Sequence, residues 1–161
     1  METKEYQRLV NLYLDMVYRV ALNGCKNTYD ADDVVQDTFM KLLKCRKTFD
    51  SDEHIRNWLI RVTINECKDV LKSMFHRKAT LPLEEIESLP AEQKADYSEV
   101  IGAVAKLPSK YRDVVYLYYY EGYSAVEIGR ILDKNTNTIY TLLARAKNKL
   151  KEKLGGCEIG T

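Results

Sequence analysis

Three observations predict an all-α fold, two small helical domains joined by a flexible acidic linker. Apolar residues recur at helical spacing in at least four segments, strand signals are nearly absent, and charge divides the chain into unlike blocks. The 161 residues allow one ordinary domain or two small ones. Apolar residues at 45% supply a core, and charged residues at 30% cover a surface. A net charge of +1 points to no partner by itself, but its distribution is uneven. Residues 1–75 carry 12 basic and 12 acidic groups, residues 76–100 carry 3 and 6, and residues 101–161 carry 10 and 6. We therefore expect a first domain over 1–75, a linker over 76–96, a second domain over 97–154 and a loose tail over 155–161.

Each element follows from its pattern. Tyr6, Leu9, Val10, Tyr13, Met16, Val17 and Val20 form one buried stripe, and Gly24 marks the expected end of the first helix. Asp30, Asp32 and Asp33 crowd the start of the second, where negative charge suits the helix dipole and Asp30 can cap free N–H groups. Val34, Val35, Thr38, Phe39, Leu42 and Leu43 make its apolar face. The polar loop "KTFDSDEH" leads into a third helix expected from about His54 to Met74. Pro82 and Pro90 with Glu84, Glu85, Glu87 and Glu92 then resist packing and predict the linker.

The second domain opens with Val100, Ile101, Val104 and Leu107, and Pro108 is expected in a first helical turn. Val114, Val115, Leu117 and Tyr118 continue the core up to a helix end at Gly122. Ser124 with Glu127 three residues later predicts a capping box for a helix running to about Leu132. Asp133 and Asn135 suit a tight turn, with Asn135 or Thr136 capping the last helix. A capped helix, Gly129 at a close-packing position and a tight turn together predict a helix-turn-helix.

Several classes are disfavoured. The opening "METKEYQRLV" has no apolar signal-peptide core, and no run of roughly 18 apolar residues spans a bilayer. Cys25, Cys45, Cys67 and Cys157 are scattered, without a CxxC pair or clustered histidines. They read as free thiols of a reduced, cytoplasmic protein rather than a metal site. No nucleophile–base pair or cofactor motif is present, so neither a cofactor nor enzymatic activity is expected.

Three surfaces carry functional signals. In the last helix Ile139, Leu142, Leu143, Ala146 and Leu150 gather toward the core. Asn137, Thr141, Ala144 and Asn148 lie opposite, flanked by Tyr140 and Arg145. Small and amide side chains can approach base edges in the major groove. Lys147, Lys149, Lys151 and Lys153 follow as phosphate ligands. The alternative is a solvated charged helix, but the capped partner helix favours duplex DNA.

In the third helix Asn57, Arg61, Asn65, Lys68 and Lys72 share one side with Trp58 on its flank, and no acidic residue is expected among them. Cations for a backbone, amides for base edges and an aromatic for stacking suit unpaired nucleic acid. A plain wet face explains the stripe alone equally well. Phe49 in the preceding loop is either a plug or a stacking surface. Asp33, Gln36, Asp37, Met40 and Lys44 share a side of the second helix, where a methionine among acids suits a protein contact.

"DADDVVQDTFMKLLK", "IRNWLIRVTINECKDVLK" and "LPSKYRDVVYLYYYEGYSAVEIGRIL" resemble, in order, segments of the bacterial RNA polymerase sigma factors. The resemblance is to the extracytoplasmic-function group of the sigma-70 family, and it covers roughly residues 5–154. It implies a region 2 type domain and a region 4 type domain that bind core RNA polymerase and promoter DNA, with an anti-sigma factor as a further potential partner and no membrane insertion. It implies polymerase docking through Asp33, Gln36, Asp37 and Met40. It implies reading and melting of the minus-ten element through Phe49, Asn57, Trp58, Arg61, Asn65, Lys68 and Lys72. The minus-thirty-five element falls to Asn137, Thr138, Tyr140, Thr141, Arg145, Lys147 and Lys149, and "YRDVVYLYYY" to the polymerase flap. Asp133 and Lys134 stand where the family has Gly and an aliphatic residue, and Tyr140 and Leu142 where basic residues are common. The other readings are a stand-alone helix-turn-helix regulator and a helical interaction module that mimics a sigma surface.

Overall fold

The apolar stripe of the N-terminal segment folds as helix α1 (Thr3–Cys25), burying Leu9, Met16, Val17, Val20 and Ala21. The structure, a computed structural model, describes residues 1–80 and 99–153. The prolines and glutamates of the expected linker, Tyr97, Cys157 and the tail lie outside the described residues. All regular elements among the described residues are helical. The chain divides into two units, Met1–Gln93 and Lys94–Thr161.

In the first unit α1 runs through Gly24, where the sequence predicts an end. Lys26 takes the left-handed position at φ 66, and its N–H donates to the Leu22 carbonyl. Gly24 answers a different need. A Cβ there would lie 2.6 Å from Cys67 Sγ, so only glycine permits this approach of α1 to the third helix.

Helix α2 (Thr28–Lys44) is capped by Asn27 rather than Asp30. Asn27 Oδ1 accepts from the Asp30 N–H at 2.8 Å, and Asn27 Nδ2 donates to Asp30 Oδ2 at 2.8 Å. Asp30 thus completes the cap from inside the helix. Ala31, Val34, Val35, Thr38, Phe39 and Leu42 are buried, but Leu43 is 41% exposed. Adjacent residues stand about 100° apart on a helix, and α1 and α3 cover only one side of α2.

Helix α3 (Asp52–Thr80) starts ahead of His54, because Ser51 Oγ accepts from the His54 N–H at 3.1 Å. It passes Met74 and continues into residues 76–80, read above as linker. Leu9, Val17, Val34, Leu42, Leu59 and Ile60, all buried, make the core shared by these three helices.

The second unit contains α4 (Glu99–Ala105), α5 (Ser109–Val115), a π-helical turn (Tyr116–Tyr120), α6 (Ala125–Leu132) and α7 (Thr136–Lys153). Pro108 is extended and precedes α5 as its cap residue, outside the first turn where the sequence placed it. Ala103, Val104, Leu107, Tyr111, Val115, Ala146 and Leu150 form a core, with Leu142 half-buried against it. The π turn widens the backbone spiral, and the Glu121 N–H donates to the Tyr116 carbonyl at 3.1 Å. Leu117 stays buried, but Tyr118, expected in the core, turns outward to 38% exposure. Gly122 then reverses the chain at φ 76.

The capping box of α6 is complete. Ser124 Oγ accepts from the Glu127 N–H, and Glu127 Oε1 accepts from the Ser124 N–H, both at 3.1 Å. Asp133 adopts the left-handed conformation at φ 56 that the turn requires. A Cβ on Gly129 would stand 2.7 Å from the Lys134 carbonyl oxygen, so glycine lets the turn fold onto α6. Helices α6 and α7 with this turn form a helix-turn-helix.

Candidate nucleic-acid and polymerase interface

Helix α7 owes its orientation to Ile139, Leu143, Ala146 and Leu150, all buried. That anchoring leaves Asn137, Thr138, Tyr140, Thr141, Ala144, Arg145 and Asn148 on the exposed side. Thr141 Oγ1 donates to the Asn137 carbonyl at 2.9 Å, which commits its proton within the helix. Tyr140 is 57% exposed, a large ring on a surface of small and amide side chains. The basic end divides. Lys147 is half-buried, whereas Lys149 is exposed but holds its Nζ 5.5 Å from the Tyr111 ring centroid, back toward the core edge. Of the cations expected to meet phosphate, Arg145 is thus the one set most squarely on the outer face.

The α3 stripe is built in the same way. Ile55, Leu59, Ile60, Thr63, Ile64 and Cys67 point inward. Arg61, Asn65, Lys68 and Lys72 are exposed, and Asn57 and Trp58 are half-buried at the head of the stripe. Asp69, also exposed, borders Asn65 and Lys68, so the face is not free of acids as expected. It lies one turn beyond Asn65 on the side away from Arg61. The other acid of this stretch, Glu66, is buried and accepts a charged hydrogen bond from Lys41 of α2. That bond raises the Lys41 ammonium above its ordinary value and ties α2 to α3.

Phe49 is half-buried and belongs to an aromatic cluster. Its ring centroid lies 5.1 Å from His54 and 5.6 Å from Trp58, edge-to-face in both cases. The loop bearing it is fastened at both sides of Ser51. The Asp50 N–H donates to His54 Nδ1 at 3.2 Å, while Asp52 is held from α1. Arg8 forks onto Asp52 at 3.0 and 3.2 Å and onto Glu5 at 2.8 and 3.1 Å, and the Tyr13 hydroxyl donates to the Asp52 carbonyl at 3.0 Å. The guanidinium holds both carboxyls below their ordinary values. Burial, then the Asp52 charge, raises the Tyr13 phenol.

Sequence reasoning missed His54, Arg8, Tyr13 and Asp52. His54 alone left a trace, one helical turn ahead of Trp58.

On α2 the side away from the core presents Asp33, Gln36, Asp37, Met40 and Lys44, all exposed. Met40 is 45% exposed and Leu43 beside it 41%, so the acidic side chains border an apolar spot. In the second unit Tyr118, Tyr119 and Tyr120 are exposed, with Tyr118 and Tyr119 packed edge-to-face at 4.9 Å and Tyr120 stacked on Tyr116 at 5.7 Å. No helix among the described residues is long and apolar enough to cross a membrane.

A helix-turn-helix with a polar, partly basic outer helix defines a helical DNA-binding protein. Comparison with known proteins narrows the class. Residues 9–75 match the family description Sigma-70 region 2, and residues 97–150 match Sigma-70, region 4. The RNA polymerase sigma factor SigV of Bacillus subtilis is 30% identical over 139 residues, covering 85% of this chain and 83% of that protein. The ECF RNA polymerase sigma factor SigM of Mycobacterium tuberculosis is 27% identical over 158 residues, covering 96% and 80%. Among solved structures, the sigma factor RpoE in complex with the anti-sigma factor NepR from Bartonella quintana matches with a TM-score of 0.73 and 21% identity, over 97% of this chain and all of that one. CnrH in complex with the cytosolic domain of CnrY matches with a TM-score of 0.72 and 23% identity, over 98% and 92%. The chain belongs to the sigma-70 family of RNA polymerase sigma factors, in its extracytoplasmic-function group. It binds core RNA polymerase and promoter DNA and directs promoter-specific transcription initiation. Its relatives are transcription regulators rather than enzymes.

Proposed function

We propose the following division of labour among the residues. Asp33, Gln36, Asp37 and Met40 dock α2 on core polymerase, and the exposed tyrosines of the π turn meet the polymerase flap. Asn137, Thr138, Tyr140 and Thr141 read the minus-thirty-five element in the major groove, while Arg145, Lys147 and Lys149 hold its phosphates. Asn57, Arg61, Asn65, Lys68 and Lys72 hold the opened minus-ten strand, and Phe49 over Trp58 stacks one unpaired base. Opening then draws on polymerase contacts and base capture, with no covalent chemistry, no cofactor and no enzymatic activity. The protein works in the cytoplasm, with a first domain whose α3 runs on past residue 75, a linker reaching 96 and a second domain over 97–154. An anti-sigma factor, as NepR is found with RpoE, regulates the same surfaces.

The observation that supports this reading best is the position of Phe49. A ring used only as a plug would be sealed, whereas Phe49 is half-buried at the head of a cation–amide stripe. Base stacking contributes on the order of 1–3 kcal/mol. Phe49→Ala is therefore expected to lower promoter opening tenfold or more while polymerase binding and upstream contact stay near normal. Permanganate footprinting of the holoenzyme on a linear promoter, beside the same promoter with a pre-melted bubble, measures this. Rescue by the bubble should be partial, because the lost stacking remains. Normal opening by Phe49→Ala on linear DNA would reduce Phe49 to a plug.

A further inference from the structure

His54 has no role in the division above, yet it touches the residue at its centre. It lies in the first turn of α3, one turn ahead of Trp58, and its ring packs edge-to-face with Phe49. Its Nδ1 accepts the Asp50 N–H. In a neutral imidazole one ring nitrogen accepts and the other carries the proton, so this bond assigns the proton to Nε2. Among the described residues no protein group accepts from Nε2, and the side chain is 39% exposed. A fixed donor therefore faces solvent beside the Phe49 ring.

We propose that His54 is a specificity-determining residue for the minus-ten element. Its Nε2–H donates to an edge acceptor of the unpaired base captured beside Phe49. This rests on the reading of Phe49 given above. A base edge suits the site better than a phosphate because the charge nearest the ring is a carboxylate. Asp50 Oδ2 lies 4.0 Å from Nδ1 and is exposed, whereas the Glu53 carboxylate is offset by Arg56 at 3.9 Å. The Asp50 carboxylate repels a phosphate and leaves a neutral acceptor unopposed. Phe49 contributes surface that every base shares, so it cannot discriminate strongly. A single oriented donor can, since bases differ in the acceptors along their edges.

Two substitutions separate base reading from loop support. His54→Asn keeps an oxygen near the place of Nδ1, able to accept the Asp50 N–H, and removes the Nε2 donor. His54→Gln extends an amide donor toward the place of Nε2 and leaves the Asp50 N–H without its acceptor. Each variant is assembled with core polymerase and titrated with fluorescent single-stranded oligonucleotides carrying each of the four bases at each minus-ten position. We expect His54→Asn to flatten the wild-type preference at one position by about fivefold, the size of one net hydrogen bond. His54→Gln should keep that preference. A His54→Asn variant with wild-type preference, beside an impaired His54→Gln, would mean that His54 only clips the loop and would overturn the proposal. Uniform weakening across all bases with a shallower salt dependence would identify a phosphate contact and overturn it equally. Should His54→Asn fail to fold, wild-type holoenzyme is titrated with base analogues that each lack one edge acceptor. Failure of every such deletion to reduce binding would refute the assignment. Phe49→Ala in the same assay keeps the two readings apart. A flattened His54→Asn with unaffected Phe49→Ala removes the stacking role alone, and the reverse removes His54 alone.

Discussion

Gly24 sits where α1 and α3 leave no room for a side chain, with Cys67 Sγ and Cβ 2.6 and 2.7 Å from the position of a Cβ. Cys67 is short and 3% exposed, so it cannot swing aside as a long surface residue would. Gly24→Ala gains helix propensity of about 1 kcal/mol but forces the helices apart. Overpacking of this kind costs about 1–3 kcal/mol, so a net loss near 1 kcal/mol and a lower thermal midpoint are expected in chemical and thermal unfolding. An unchanged or raised midpoint would mean that the two helices are looser than the distance implies.

Among the elements, the helix-turn-helix depends on two different kinds of force. Its local geometry rests on Gly129, whose missing Cβ lets the Lys134 carbonyl approach, and on the box that starts α6. The obstacle for Gly129→Ala is backbone, which yields less readily than a side chain. The variant should lose about 1–3 kcal/mol and, because the turn sets the angle of α7, lose upstream DNA affinity as well. Thermal unfolding and duplex titration of the same preparation check both effects together. The second force is electrostatic and sits on the far face. Arg145→Ala should leave the thermal midpoint within about 0.5 kcal/mol of wild type, as surface changes do. Its log–log salt slope for upstream duplex should fall by about one unit. A steep, unaltered slope would take Arg145 off the phosphates. Lys149 makes a poorer probe because its ammonium also lies against Tyr111.

At the scale of the whole molecule, the proposed roles have region 2 hold a large partner on α2 and DNA on α3, and the two helices are packed on each other. The Lys41–Glu66 ion pair joins them on the side where Asp37 and Asp69 also bear on the Lys41 ammonium. Asp37 itself is exposed, and its charge is the smallest of those that bear on Lys41, whose bond is to Glu66. Asp37→Arg should therefore fold normally yet lose core polymerase affinity, since a like charge against a basic partner costs up to several kcal/mol at an interface. Unchanged affinity in a titration against core enzyme would move the docking surface elsewhere on the domain.

Much of this architecture is legible along the chain. The Ser124–Glu127 box, the left-handed turn at Asp133 and the buried face of α7 each depend on residues within a few positions of one another. Periodicity and capping chemistry therefore expose them directly. The exposed cations and amides of α3 and the acidic face of α2 follow from the same periodicity. Other features depend on which helix packs against which. Gly24 looks like a helix end until Cys67 is brought beside it, and Leu43 looks buried until α1 and α3 cover the other side of α2. The π turn that turns Tyr118 outward rests on a hydrogen bond of longer register, which apolar spacing alone does not distinguish from a continuous α-helix. The Arg8–Asp52 fork joins residues far apart in sequence. His54 lies near Phe49 in sequence, but the sequence does not say that the loop folds back to take up Nδ1 and leave Nε2 as a donor. Local patterns dictate which residues form helices and which sides face water, because those preferences are encoded over one or two turns. Close approaches, ion pairs between elements and the assignment of a single proton belong to tertiary packing, because each depends on a partner that only the folded chain supplies.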